Sequence, residues 1–167
     1  SWDWSAKGEE WSLSADWKDS LVQQVLRRYM PAGKDILEIG PGAGRWTEFL
    51  HPLASHLIGV DISQKCVDLC RERFGAAGNA SFLTTSGSNL AGVADQSIDA
   101  IWSYDVFVHV DTEDAAAYVR EFRRVLRPGG IGVVHHAREP MDGGWHSNLT
   151  AEAFRQMYIP PQFAHGF

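Results

Sequence analysis

The sequence contains few cysteines and no long hydrophobic run. Cys66 and Cys70 are the two cysteines among 167 residues, and they lie on one face of a predicted helix. Two thiols alone do not make a zinc site, so we expect free, buried thiols. No stretch approaches the roughly 18 apolar residues of a membrane span, and the first residues lack the features of a secretory signal. We therefore expect a cytoplasmic protein that does not bind membranes.

Positive charge is also scarce. Lys and Arg total 15 against 21 Asp and Glu, which gives a net charge of −6, and no basic run occurs. A nucleic-acid-binding protein needs such a basic patch, so the sequence favours a small-molecule partner. Hydrophobic residues make up 44% of the chain, which predicts one folded domain at this length. Nothing in the composition indicates an oligomeric state.

Short apolar runs alternate with segments of helical periodicity along the chain. The predicted strands cover residues 36–39, 57–60, 81–85, 98–103 and 131–135. The predicted helices cover residues 12–30, 45–51, 63–73 and 111–126. Ser63 is a predicted N-cap, as is either Asp111 or Thr112. This alternation indicates an α/β fold with a doubly wound, mostly parallel sheet and helices on both faces.

Three glycines, Gly40, Gly42 and Gly44, follow the first predicted strand. In such a sheet the backbone here must come close to a ligand, and a Cβ would block that approach. Asp61 ends the second strand, 61 − 44 = 17 residues beyond the last glycine, near the ~20 typical of a ribose-binding acid. A structural turn with a capping acid is the alternative explanation. The order of strand, glycines, helix, strand and acid favours a nucleoside site.

The glycine spacing distinguishes between nucleoside-binding families. The third glycine comes one residue earlier than in the dinucleotide fingerprint, and Arg45 occupies the fingerprint position. The chain resembles the small-molecule type of class I S-adenosylmethionine-dependent methyltransferases in three motifs, which are EIGPGAG at residues 38–44, Asp61, and LRPGG at residues 126–130. These motifs lie in register along the predicted sheet, and the last of them, at residues 126–130, is predicted to form a turn before the fifth strand. The resemblance implies a Rossmann-like core with S-adenosyl-L-methionine as its cofactor.

The resemblance also implies roles for individual residues. The three glycines are expected to line the methionine part of the cofactor, with Glu38 near its amino group and Asp61 on its ribose. The predicted cofactor site further includes Ile62, Ser86, Gly87 and Ser103. Ser86 stands where the family often has an acid that contacts the adenine. A plain turn explains that segment equally well.

The predicted acceptor site lies at the end of the fourth strand. The Pro-Pro motif of methyltransferases that act on nucleobases and protein amides is missing there, which argues against both acceptors. His109 is the candidate general base for a hydroxyl acceptor, with Asp105 as its orienting partner. Alternatively, His109 packs under the next helix. His135 ends the fifth strand beside His136, and only one of that pair can face the site, so the predicted catalytic residues are His109, Asp105 and His135.

A metal site is the remaining possibility at this edge. Asp105, Asp142 and His146 carry suitable side chains, but they have no recognisable ligand spacing. We therefore predict that the protein binds no metal.

The first 34 residues are rich in tryptophan, including Trp4, Trp11 and Trp17. We interpret residues 1–34 as a helical lid over a methyltransferase core formed by residues 35–167. Aromatic side chains in a lid exclude water and hold a flat acceptor. Trp17 alternatively docks the first helix onto the sheet. The family's sheet usually continues with an antiparallel hairpin, which is not recognisable after residue 136, so we expect an incomplete hairpin.

The combined features predict transfer of a methyl group from S-adenosylmethionine to a small-molecule acceptor, with a hydroxyl preferred. N-methylation of a small amine is the first alternative, and it needs a neutral lone pair more than a base. A nicotinamide-dependent oxidoreductase and a non-catalytic nucleoside-binding module of the same fold are the others.

Overall fold

The computed structural model describes Trp4 and residues 6–136, and these form a five-stranded parallel sheet with helices on both faces. The strands are β1 (Asp35–Ile39), β2 (His56–Asp61), β3 (Ala80–Thr84), β4 (Ile98–Phe107) and β5 (Leu126–His136). Their order in the sheet is β3-β2-β1-β4-β5, and every neighbouring pair is parallel. The order reverses between β1 and β4, which is where ligands bind in such sheets. The predicted doubly wound fold is confirmed.

The helices connect the strands in the order that the sequence predicts. They are α1 (Ala15–Leu21), α2 (Arg27–Tyr29), α3 (Thr47–Leu50), α4 (Gln64–Phe74) and α5 (Thr112–Val125). Ser63 caps α4 by accepting the N–H of Cys66 at 3.4 Å, and Asp111 caps α5 by accepting the N–H of Asp114 at 2.9 Å. In the described part of the chain, no helix combines the length and the apolarity that crossing a bilayer requires.

Three predicted boundaries differ from the structure. The helix predicted over 12–30 begins only at Ala15 and contains a π-helical turn at Val22–Leu26. β4 continues to Phe107 rather than ending at residue 103. β5 begins at Leu126, so the residues predicted as a turn before the strand lie within its bounds. Pairing between β4 and β5 shifts register near this start, where Gly129 has a φ of +83°.

Two apolar clusters hold the helices on opposite faces of the sheet. On one face, Leu26 and Leu50 pack with Trp102 and join the N-terminal helices and α3 to the strands. On the other face, Phe122 of α5 packs with Ile101. Both cysteines are buried and free, as the sequence predicts. The predicted incomplete hairpin lies outside the described residues.

Trp17 anchors the N-terminal helices to the sheet. Its ring lies 6.4 Å from the ring of Trp46 and 6.1 Å from that of Tyr104, both at steep interplanar angles. Edge-to-face packing of this kind stabilises an aromatic pair beyond the area it buries. The structure therefore places Trp17 in the docking role that the sequence left as an alternative.

Glu38 carries an ionisable side chain that is buried in the core near the carboxyl end of β1. It is 1% exposed, and the hydroxyl of Thr47 donates to its Oε2 at 2.6 Å. Its Oε1 has no hydrogen-bond partner among the described residues. Burial raises the pKa of Glu38 from 4.5 to about 8, although the Thr47 hydrogen bond opposes the shift. The carboxyl is therefore protonated at neutral pH.

The raised pKa of Glu38 predicts how stability depends on pH. The folded protein holds a proton that the unfolded chain releases above pH 4.5, so this contribution to stability is complete below that pH. It is lost as the pH rises through about 8. Glu38→Gln keeps a neutral group of the same shape. We expect the free energy of unfolding to fall less for this variant than for the wild type across that range.

Urea denaturation at several pH values from about 5 to about 9 measures this difference, because the contribution of Glu38 is lost within this interval. Asp61 also has a raised pKa but titrates in both proteins, so the comparison isolates Glu38. Glu72→Gln, an exposed position on α4, is the matched control and should follow the wild type. Parallel curves for Glu38→Gln and the wild type would contradict the assignment.

Candidate cofactor and acceptor site

The glycine turn after β1 is packed against the end of β4. Gly40 has a φ of +69°, and a Cβ at this position would clash with the side chain of Val106. The N–H of Gly40 donates to the carbonyl of Val60 at 2.8 Å, which ties the turn to β2 as well. Only glycine fits both the conformation and the space. The ends of three neighbouring strands therefore meet at this turn.

Asp61 closes β2 and bonds to this turn. Its Oδ2 accepts the N–H of Gly42 at 3.1 Å, and its Oδ1 accepts the N–H of Ser63 at 2.8 Å. The residue is 8% exposed, and burial raises its pKa above the usual value despite these hydrogen bonds. A carboxylate has about four lone-pair sites, so both oxygens can still accept a further hydrogen bond. This geometry suits a carboxylate that binds the two hydroxyls of a ribose.

Ile62 and the loop after β3 form an apolar surface next to Asp61. Ile62 is 70% exposed, and a Cβ on Gly87 would lie 3.2 Å from its Cγ2. A large exposed apolar side chain at the carboxyl edge of the sheet suits the flat face of a base. Ser86 lies in the same loop, where its hydroxyl oxygen accepts from Asn89 at 2.5 Å.

Ser103 occupies a different environment from the other predicted cofactor residues. It is fully buried in β4, and its hydroxyl donates to the carbonyl of Ile39 at 3.1 Å. This hydrogen bond links β4 to the end of β1. Ser103 thus holds together the two strands between which the sheet order reverses.

The residues at this edge fit S-adenosylmethionine. The partnerless Oε1 of Glu38 is an acceptor for an ammonium group, and an unsatisfied buried acceptor is costly without one. Asp61 suits the ribose, and Ile62 with Gly87 suits the adenine. These groups are of the kinds that an ammonium, a ribose and an adenine require, and the assignment of each residue to a part of the cofactor stays a prediction.

Asp105 joins the glycine turn to β5. It has a φ of +62°, and the pairing of β4 with β5 shifts register between Ser103 and Phe107. Its Oδ2 accepts from Arg45, and its Oδ1 lies 3.1 Å from Nδ1 of His135. Burial would raise the pKa of Asp105, but the hydrogen bonds from His135 and Arg45 outweigh it and lower the pKa. Asp105 is thus a carboxylate held between two donors.

In the structure Asp105 contacts His135, whereas His109 lies in the turn after β4. His135 is buried, and its ring stacks on Tyr104 at 4.5 Å with an interplanar angle of 19°. Two groups of Asp105 approach Nδ1 of His135, the backbone N–H at 3.3 Å and Oδ1 at 3.1 Å. A hydrogen bond to a charged carboxylate is stronger than one from a neutral N–H, so we assign the proton to Nδ1, which then donates to Oδ1. His109 is exposed in the turn after β4, and its N–H donates to the carbonyl of Val106 at 2.9 Å.

Sequence reasoning missed two charged residues at this edge, Arg45 and Lys18. Arg45 is 6% exposed and contacts Asp105, although it was noted only as departing from the dinucleotide fingerprint. Lys18 is 8% exposed, contacts Glu9 and donates to Glu48 at 2.8 Å. Its position on a predicted amphipathic helix gave no signal of this burial.

The N-terminal segment of residues 6–14, with Trp4, lies over the glycine turn. A Cβ on Gly42 would lie 3.4 Å from the ring of Trp4, and one on Gly8 would lie 3.5 Å from Cβ of Arg45. The ammonium of Lys18 connects Glu9 of this segment to Glu48 of α3. The segment is thus attached to the turn by both apolar and ionic contacts.

Metal-ligating side chains do not cluster in the described part of the chain. Within Trp4 and residues 6–136, no group of three or more His, Cys, Asp or Glu side chains has an arrangement that could hold a metal ion. Asp142 and His146, which the sequence analysis considered, lie outside the described residues.

The chain is similar to known methyltransferases in both family and individual comparisons. A family model described as "Methyltransferase domain" matches residues 36–130. A Mycolicibacterium smegmatis protein named "Probable S-adenosylmethionine-dependent methyltransferase" is 33% identical over 62% of this chain and 38% of its own length. The ubiquinone biosynthesis O-methyltransferase of Xanthomonas axonopodis pv. citri is 27% identical over 76% of this chain and 52% of its own.

Among solved structures, the YcgJ protein of Bacillus subtilis is similar with a TM-score of 0.62 and 27% identity, over 75% of this chain and 53% of that one. The chain thus spans about half the length of the proteins it matches, or less. The family match covers more than half of the chain and includes the glycine turn, Asp61 and the last predicted turn. The chain therefore belongs to the class I S-adenosylmethionine-dependent methyltransferases.

Proposed function

We propose that this protein transfers a methyl group from S-adenosylmethionine to a small-molecule acceptor, with a hydroxyl as the accepting group. The observation that carries the proposal is the set of contacts around Asp61. Its carboxylate bonds to the glycine turn at Gly42 and stands beside the exposed Ile62. A ribose site and a base site are thereby adjacent, as a nucleoside cofactor requires.

The chain's own residues bind and orient the cofactor. When bound, S-adenosylmethionine supplies an electrophilic methyl group on a sulfonium. Asp61 accepts from the ribose hydroxyls, and Ile62 with Gly87 contacts the adenine. Oε1 of Glu38 would accept from the amino group, whose positive charge would favour the ionised form of this buried carboxyl. Cofactor binding and proton release from Glu38 are therefore linked.

The acceptor site includes His109, Asp105 and His135. His109 is exposed at the end of β4, where an acceptor hydroxyl can reach its ring, and we assign it as the general base. Asp105 contacts His135 at Nδ1, so Nε2 is the nitrogen through which this ring would act as the second candidate base. A hydroxyl acceptor needs one of these bases, whereas an amine acceptor needs only a neutral lone pair.

The N-terminal segment is proposed to act as a lid. Trp4 against Gly42 and Gly8 against Arg45 put its backbone above the glycine turn. Methyl transfer requires the acceptor to be aligned with the S–CH3 bond and water to be kept out. A cover over this turn meets both needs.

Three further points support a small-molecule hydroxyl acceptor. The O-methyltransferase of Xanthomonas is one of the similar proteins, and two histidines lie at the acceptor edge. The described chain also lacks a Pro-Pro pair after β4, unlike enzymes that methylate nucleobases or protein amides. N-methylation of a small amine and a non-catalytic module that binds only the cofactor are the competing functions.

Ile62→Ser tests the adenine surface. Because Ile62 is 70% exposed, the substitution should leave the melting temperature of the free protein unchanged. We expect the dissociation constant for S-adenosylhomocysteine to rise by about tenfold, since roughly 1–2 kcal/mol of apolar contact with the base is removed. Isothermal titration calorimetry measures this change. Val119→Ser, also exposed but on α5, is the control and should bind normally; equal affinity in both variants would exclude the adenine assignment.

His109→Ala tests the base and separates the competing functions. With an acceptor found by screening phenols, hydroxy acids and amines, we expect kcat to fall about 100-fold or more while S-adenosylhomocysteine binding is retained. His135→Asn is the comparison. A large fall in kcat for His135→Asn alone would identify His135 as the general base instead of His109. Unchanged kcat in both, with a rate that follows substrate protonation, would indicate N-methylation, and no turnover by the wild type with any acceptor would indicate the binding module.

A further inference from the structure

Arg45 has a buried nitrogen that no described residue satisfies. The side chain is 6% exposed, and Nη2 contacts the carboxylate of Asp105. Nη1 is fully buried and has no hydrogen-bond partner among the described residues. An unpaired buried donor costs roughly 1–3 kcal/mol, and more when it is charged. Such a group in a native site calls for a partner that the described chain does not supply.

A second unsatisfied donor belongs to the neighbouring side chain. The guanidinium carbon of Arg45 lies 5.0 Å from the centre of the Trp46 ring, and Nε1 of Trp46 is also buried without a partner among the described residues. Both atoms can only donate hydrogen bonds. A partner for either atom must therefore accept a hydrogen bond, and for the charged guanidinium an oxygen anion is the strongest such acceptor.

The contacts of Arg45 place it on the acceptor side of the glycine turn. Its guanidinium meets Asp105 at the end of β4, and Asp105 in turn meets His135 at the end of β5. The residues assigned to the nucleoside, Asp61, Ile62 and Gly87, follow β2 and β3 on the other side of β1. A ligand group at Arg45 is thus separated from the ribose and adenine, and it belongs either to the acceptor or to the methionine end of the cofactor.

We propose that Arg45 binds a carboxylate of the methyl acceptor, so that the acceptor is a small organic acid. The inference rests on the proposed methyltransferase function and specifies its substrate class. Asp105 occupies only Nη2 of Arg45, so the buried Nη1 is still without an acceptor among the described residues. The side chain of Asp105 is 32% exposed, so small molecules can reach the ion pair from solvent.

Binding of acids to the cofactor-product complex tests this site. Protein saturated with S-adenosylhomocysteine is titrated with benzoate, phenylacetate and propionate, and with the corresponding neutral amides. We expect at least one acid to bind and its amide to bind at least about tenfold more weakly, since only the acid forms a charge-assisted pair. If no acid binds better than its amide, the proposal is wrong.

Three variants identify the residue responsible. Arg45→Met should lower the affinity for the acid by about tenfold or more, and Arg45→Lys should lie between this variant and the wild type. Asp105→Asn should bind the acid more tightly than the wild type, because it removes the carboxylate that competes for the guanidinium. A merely structural role of Arg45 would not produce this gain. Arg28→Met, an exposed position on α2, is the matched control and should bind the acid normally.

A last comparison separates the acceptor from the cofactor as the source of the carboxylate. 5′-Methylthioadenosine lacks the amino-acid part of S-adenosylhomocysteine. If Arg45→Met weakens S-adenosylhomocysteine but not 5′-methylthioadenosine, Arg45 holds the cofactor's carboxylate and the proposal is overturned. We expect Arg45→Met to bind both with wild-type affinity. Failure of the wild type to bind S-adenosylhomocysteine would refute the methyltransferase function itself.

Discussion

The packing of the glycine turn against β4 is the constraint on which the site depends. A Cβ at Gly40 would clash with Val106, and Asp61 holds the next part of the turn through the N–H of Gly42. These two contacts bring the carboxyl ends of β1, β2 and β4 to one place. The residues proposed to bind the nucleoside then fall on one side of the turn, and those proposed for the acceptor fall on the other. Any change that moves the turn would disturb both halves together.

The same edge keeps two carboxyl groups in opposite ionisation states. Burial raises the pKa of Glu38 to about 8, whereas donors from Arg45 and His135 lower that of Asp105 despite its burial. Environments that separate the pKa values of neighbouring acids are a common way to assign them different roles. Glu38 can ionise when a cationic group arrives, while Asp105 stays charged and orients its partners. The difference arises because Glu38 is buried with one hydrogen-bond donor, Thr47, whereas Asp105 has two donors, His135 and Arg45.

Local sequence signals predicted the fold, which the structure confirms, and they proposed the nucleoside residues, whose role stays a prediction. Apolar periodicity located the five strands, and the caps Ser63 and Asp111 follow from rules that span three residues. The pairing of Arg45 with Asp105 joins residues 60 apart, and that of Asp105 with His135 joins residues 30 apart. No spacing rule encodes such contacts, because they depend on which strand ends meet. Asp105 was accordingly predicted to orient His109, whereas the structure gives it His135.

The N-terminal region combines a strong attachment with a weaker one, and this difference bears on its proposed role as a lid. Trp17 packs into the buried aromatic cluster with Trp46, which fixes α1 on the sheet. The preceding segment is held through Lys18 by Glu9, whose side chain is 43% exposed. Ion pairs that reach solvent contribute about 0–1 kcal/mol, far less than a buried tryptophan. If the segment acts as the proposed lid, its opening would break this ion pair and the contacts of Trp4 and Gly8 with the turn, and would leave the packing of Trp17 intact.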